Sequence, residues 1–482
     1  MTSGGPTQAP GGHATTLDDL FRRAAVRNSE AIALLDPPNR SAFTNGPPLS
    51  ITYAHADRIL WAIAARLYAL GLERGDVVAI QLPNTVESIL TLLGVLRAGM
   101  VAALLPMLWR EREILAALSG TGAKALLTTT RINEADHCDI AMKVAAQLMS
   151  IRHVCAYGHD VPDGIAPIDD VLTPQSFVLP ARTERSDPTA AQTAILTFEP
   201  TPRGIACVPR THAQILAGGL SVALTAKLGP DASVLSATPV SSWAGLCATL
   251  MPWLLSGARL ELHQPFDASS FAQAAESCDA IAVPGPLLAD LASAGVIDAQ
   301  TKTIIAIWPS PERAETAPRL SGSIIDLRVF GEVGVVTTRR GDDGAVAPLP
   351  TGSIGKIGLD LKRTDAGTLA LRGIMVGLPG ATAPPDDFID TGYPCRAATG
   401  CLVVTGANPG MITIGGYRLP RSDLDVLATT LQADELIAAL PDKLLGQRLA
   451  APRTGRDNVA DMLTAHGINP LIAGAFSRRN AA

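Results

Sequence analysis

The stretch best placed to do chemistry is residues 196–212, Leu-Thr-Phe-Glu-Pro-Thr-Pro-Arg-Gly-Ile-Ala-Cys-Val-Pro-Arg-Thr-His. An apolar strand-like run, Thr193-Ala194-Ile195-Leu196, leads into it, and a helix-like run over 213–228 follows. Strand, turn-rich loop and helix is the arrangement by which α/β proteins hold phosphates, because backbone N–H groups converge there. The residues inside this loop oppose that use. Pro200 and Pro202 have no N–H to offer. Glu199 puts a negative charge where a phosphate would sit, and one such contact at ~5 Å and an effective dielectric of ~20 costs roughly 3 kcal/mol.

The surrounding chain is built to position such a site. At 482 residues it can bury a large core and make two or more domains. Hydrophobic residues at 47% against charged residues at 17% describe a globular chain. A net charge of −6 gives no reason to expect a nucleic-acid partner. Seven cysteines without a Cys-x-x-Cys pair point to a reducing compartment and structural thiols, with no metal set. Residues 1–15 lack the layout of a signal peptide and read as a flexible lead-in. The longest apolar runs, 100–109 and 246–255, are too short to cross a bilayer, so no membrane partner and a cytoplasmic location are expected.

Apolar periodicity predicts helices over 54–70, 86–98 and 110–119, alternating with strands over 77–82, 101–105 and 123–128. That alternation is the βαβ pattern of a parallel sheet, hence an α/β fold. Thr16 is a cap for a first helix whose early acids, Asp18 and Asp19, suit the helix dipole. Residues 129–190, with Pro162, Pro167, Pro174, Pro180 and Pro188, read as loop-rich and as covering an edge. Further strands are expected over 234–239 and 304–307.

Several segments, in order, carry a family likeness: Gly75-Asp76-Val77-Val78-Ala79-Ile80, Arg97-Ala98-Gly99, Pro209-Arg210-Thr211-His212, Val329-Phe330-Gly331-Glu332, Asp390-Thr391-Gly392-Tyr393 and Gly415-Gly416-Tyr417-Arg418. Through them nearly the whole chain resembles the AMP-forming acyl- and aryl-CoA synthetase, adenylation-domain and luciferase superfamily. The resemblance implies a large N-terminal region of parallel-sheet subdomains over 16–405 and a shortened α+β C-terminal lid over 406–482. It implies ATP and Mg²⁺ as cofactors if the chain is active, with CoA as a further candidate, and a small carboxylic acid or its acyl derivative as ligand. The chemistry of that family drives a carboxylate onto the α-phosphate of ATP; both partners are anions, so the site must supply positive charge and aligned donors.

By the resemblance, the nucleotide would lie among Thr197, Thr201, Gly204, Thr211, His212, Phe330, Gly331, Thr391, Gly392 and Tyr393, with Phe330 stacked on adenine. Arg203, Glu332 and Arg418 are the candidate catalytic residues. Arg203 stands for the loop lysine if the register carries a gap; without one that position falls on Ala206. Glu332 is either a displaced metal-facing acid or a solvated carboxylate. Ser242, Trp243 and Trp308 would line the substrate pocket, although Trp243 reads more readily as a core residue and Trp308 equally as a cap on a sheet edge.

The departures fall on the charged positions. Ser242 stands where the family has a histidine, Gly334 where it has a glutamate, and Tyr393 where an aspartate grips the ribose. In the hinge-like segment at 406–412, Ala407 and Pro409 replace an arginine and a lysine. No lysine follows Lys443, so the C-terminal adenylation lysine has no counterpart. Losing one preorganised donor commonly costs roughly 3 kcal/mol, ~10²–10³ in rate. The expectation is a homologue with a degraded ATP site, weakly active or non-catalytic, that binds a ligand or a protein partner such as a functional paralogue. The alternative is a working ligase that uses Arg203, Arg210, Glu332 or Arg418 from altered positions.

Overall fold

The computed structural model describes residues 15–173, 190–354, 358–380, 387–431, 437–451 and 459–476. Apart from Thr15, the lead-in expected at 1–15 lies outside them, as do Pro174, Pro180 and Pro188. The first sheet has seven strands. Its centre is Val101–Leu104, Val77–Ile80, Ala125–Thr129 and His153–Tyr157, all parallel. These are short runs of small and branched apolar residues, buried on both faces, as parallel strands must be. The helices between them, Tyr53–Ala69 and Val86–Arg97, start and stop within two residues of expectation. Every residue of Val86–Arg97 is buried, which makes it a core helix rather than a surface one. It lies tight against Tyr53–Ala69 because position 94 is glycine: a Cβ there would sit 2.6 Å from Ile63 Cγ2.

The second sheet has eight strands. Ile32–Leu35, Leu260–Leu262, Val234–Ser236, Ala280–Pro284, Thr303–Trp308 and Ile324–Phe330 run parallel, and an antiparallel strand closes each edge. A six-stranded antiparallel sheet spans 349–404. The chain then forms a four-stranded antiparallel sheet from Met411–Ile414, Tyr417–Pro420, Ala438–Asp442 and Gly446–Ala450. It packs on three short helices around its own core, which includes Ile412, Ile414, Leu449 and Leu463. The architecture is therefore α/β with parallel-sheet subdomains and a small C-terminal α+β region. Among the described residues no helix is long and apolar enough to cross a membrane.

One expectation fails in this part of the chain. Residues 129–190 are not all loop: they hold a helix, His137–Gln147, and a full strand of the first sheet, His153–Tyr157. The strand keeps register with Ala125–Thr129 over five pairs, and the prolines that suggested loop lie beyond its end.

A buried ionic cluster ties the two sheets' connections together. Arg40 pairs with Asp36 at 2.7 Å and with Glu87, all three side chains almost solvent-free. Asp36 also accepts from the amides of Val86 and Leu49. Burial, with the Glu87 carboxylate beside it, pushes Asp36 up to about 7. The folded chain thus holds a proton there that the unfolded chain, titrating near 3.8, releases. This contribution to stability is present at low pH and is lost as pH rises toward about 7. Melting temperatures of the native chain and of Asp36→Asn, compared from pH 5 to pH 8, should show a downward slope in the native chain that the variant lacks; equal slopes would disprove the assignment.

Candidate active site

A cavity of about 530 Å³ opens where the carboxyl ends of both parallel sheets face the C-terminal sheet. Met107 and Leu108 follow strand Val101–Leu104; Ser241 and Ser242 follow Val234–Ser236; Gly331 and Glu332 follow Ile324–Phe330. Carboxyl ends of parallel strands are where open α/β sheets bind ligands. The fourth wall comes from the C-terminal region: the Gly415-Gly416 turn with Tyr417 and Arg418, and the side chains of Leu444, Leu445 and Leu471.

The stretch expected as a phosphate loop is a regular β-hairpin. Thr193–Thr201 pairs antiparallel with Gly204–Thr211, in register from Ile195↔Arg210 to Thr201↔Gly204. Only Pro202 and Arg203 form the turn. The Thr201 hydroxyl satisfies it, donating to the Gly204 carbonyl at 2.8 Å and accepting from the Arg203 amide at 3.2 Å. Cross-strand pairing thus runs to the tip instead of opening a loop of convergent N–H groups. Arg203, Thr201 and Gly204 sit at this tip, with Arg203 exposed, and none of the three lines the cavity.

Three charged side chains, Glu199, Glu332 and Arg418, close the floor of the cavity, and a fourth, Arg210, backs them. Glu199 Oε1 forms an ion pair with Arg418 Nη1, while Glu199 Oε2 accepts from the Glu332 amide at 2.6 Å. The Glu332 carboxylate accepts from the Trp243 amide at 3.1 and 3.2 Å. Arg210 lies behind it, with Nη2 3.8 Å from Glu332 Oε2. Arg210 also donates to the carbonyls of Glu332 and Met375 and stacks 4.0 Å from the centre of the Trp243 ring. Burial raises both carboxyls against the pull of the two guanidiniums, and it lowers Arg210. Gly331 makes the arrangement possible. Its φ is +59°, and a Cβ there would meet Glu199 Oε2 at 2.6 Å and collide with Arg418. Two acids and two bases thus form a locally neutral lock. Glu332 lines the cavity yet is largely buried, which corrects its reading as a solvated carboxylate.

Next to Arg418, Tyr417 donates to Glu113 Oε1 at 2.7 Å, and burial raises the Glu113 carboxyl. Adjacent residues of one C-terminal strand therefore grip the hairpin and the helix Glu111–Leu118.

The remaining predicted positions divide into cavity and framework. Ser242 lines the cavity and caps the turn after it, accepting from the Gly245 amide at 3.2 Å. Trp243 does not line it: the indole is fully buried beneath Arg210 and against Gly218. Trp308 is also turned away. Its Nε1 donates to Asp326 at 2.8 Å, and its ring covers Gly285 and borders a separate cavity of about 300 Å³. Phe330 and Tyr393 pack edge to face, 5.5 Å between centroids, both buried and neither in the cavity wall. Thr391 donates to the Leu369 carbonyl, and Gly392, at φ +73°, lies under Asn408. Thr197 is buried against Val208 and the Glu332 carboxylate. Thr211 and Gln214 form a capping box at the start of helix His212–Ala226. His212 accepts from the Leu17 amide at 3.3 Å, and burial pushes its imidazole down to about 4.

Sequence reasoning gave no place to Arg313, which lines the cavity from the turn Pro311–Thr316, nor to the leucines of the fourth wall. A signal for Arg313 existed: a cation just past the Trp308-Pro309-Ser310-Pro311 segment that ends a parallel strand.

Three comparisons place this geometry among known proteins. The family model described as AMP-binding enzyme matches residues 21–331. A 2-hydroxy-7-methoxy-5-methyl-1-naphthoate–CoA ligase of Streptomyces carzinostaticus is 25% identical, over 90% of this chain and 83% of that protein. Among solved structures, apo MbtA of Mycobacterium smegmatis superposes with a TM-score of 0.66 at 24% identity, covering 94% of this chain and 89% of that one. A variant of Bacillus subtilis o-succinylbenzoate CoA synthetase bound to a product analogue gives 0.70 at 17% identity, covering 92% and 91%.

Removing one partner of a buried ion pair leaves the other charge stranded, at about 3–5 kcal/mol. Arg210→Met should therefore lower the free energy of unfolding by about 3 kcal/mol in urea. A loss below about 1 kcal/mol, the size of an exposed pair, would show that Arg210 does not hold Glu332.

Proposed function

The chain belongs to the AMP-binding enzyme family, and we propose that it is a member in which the triphosphate grip has given way to an internal charge lock. On this reading residues 16–405 form a body and 406–482 a lid, working in the cytoplasm. Between them lies a pocket for a small carboxylic acid or its acyl derivative, with little or no adenylation. Homology to AMP-forming acyl- and aryl-CoA ligases supports the ligand class.

The observation that carries the proposal is Glu199 held between Arg418 and the Glu332 amide, directly over Gly331. ATP and Mg²⁺ do not fit the residues present. A phosphate near Glu199 meets a like charge, at roughly 3 kcal/mol for one contact. The hairpin's pairing and its two prolines leave no cluster of free amides to offset that. The two arginines beside Glu199, Arg210 and Arg418, are each paired to an acid. Among the described residues no three His, Cys, Asp or Glu side chains gather as a metal site.

Calorimetry with ATP·Mg²⁺ should give no binding heat, and pyrophosphate exchange should stay at background with benzoate, 2-naphthoate and decanoate. Exchange above background with any of these acids would return the chain to the working ligases.

A further inference from the structure

Of the cations bordering the 530 Å³ cavity, Arg418 is matched by Glu199, and Arg210 lies behind Glu332 outside the lining. Arg313 differs from both. It lines this cavity as well as the neighbouring one of about 300 Å³, and it makes no ion pair within 4.0 Å among the described residues. One nitrogen, Nη2, donates to the Lys443 carbonyl, which fixes the side chain against the lid, and among the described residues no hydrogen bond engages Nη1. Glu312 and Asp442 act on it through charge alone, while burial lowers it. The cavity it borders is lined largely by apolar residues, among them Leu287, Ile307 and Pro309 from the body and Leu444 and Leu445 from the lid, with Ser310 also in the lining. Two further acids, Glu199 and Glu332, line the cavity in its floor. A planar guanidinium in such a setting is suited to a carboxylate, and an apolar surround strengthens the pairing.

We propose that Arg313 is a specificity-determining residue, the anchor for the acid group of an apolar carboxylate whose carbon skeleton fills the cavity. The ligand then lies with its carboxylate toward the lid leucines and away from Glu199 and Glu332. This rests on the reading that the pocket takes a small carboxylic acid, and it adds the residue and the orientation. Lys443 is not the anchor: it is 81% exposed and pairs with Asp290.

The test is titration calorimetry on the full chain without nucleotide, using 2-naphthoate and decanoate against 2-naphthamide and decanamide. The acids should bind and the amides should bind more weakly. Arg313→Gln should weaken the acids by about tenfold or more, the loss expected for one charge-assisted hydrogen bond, and leave the amides within about twofold. Arg313→Lys should recover part of the loss. Asp290→Asn loosens the lid contact without touching Arg313 and should leave acid affinity unchanged. Equal affinity for acid and amide, equal weakening of both by Arg313→Gln, matching losses in Asp290→Asn, or no acid binding at all would each overturn the proposal. Binding heat with ATP·Mg²⁺ would instead overturn the charge-lock reading while leaving an acid-over-amide preference intact.

Discussion

The site depends on one buried arrangement, a glutamate carboxylate closed between a guanidinium and a backbone amide above a glycine. Burying a single carboxylate is costly unless its lone pairs are met. Glu199 meets that condition with Arg418 on one oxygen and the Glu332 amide on the other. Glu332 meets it with the Trp243 amide and Arg210. Each group needs the others in place, so the floor of the cavity is a single unit. Its formal charge sums to zero, and polyanion binding depends on a surplus of positive charge at the contact.

Much of the fold could be read in the sequence because the parallel strands are largely apolar and the helices between them repeat their apolar residues at helical spacing. Val77–Ile80, Val101–Leu104 and helix Val86–Arg97 appeared where hydrophobic periodicity placed them. His153–Tyr157 was missed because nearby prolines outweighed a five-residue run, and its pairing with Ala125–Thr129 is a long-range contact that local pattern does not encode. The hairpin was misread for a related reason. Thr, Pro, Arg and Gly suggest an open loop, but two extended strands on either side can close on a two-residue turn.

The site itself was less legible. Glu199 was recognised as hostile to phosphate, yet nothing local told that it would face Arg418, more than two hundred positions on. Pattern alone favoured the core for Trp243 and left Trp308 between pocket and sheet-edge cap; the structure puts Trp243 under Arg210 and Trp308 against Asp326. Thr211 and His212 carry a motif-like pair, and both act on backbone: one caps a helix and the other receives an amide of the first helix. Arg313 had no motif to mark it, and its importance comes from which neighbours lack a charge.

Tyr417 and Arg418 are consecutive in a strand, so their side chains leave it on opposite faces. One reaches Glu113 and the other Glu199, two acids on separate pieces of the body. The strand is held like a tongue between two jaws. A rotation of the C-terminal sheet that eases one contact must break the other as well, so the two regions should part together or not at all.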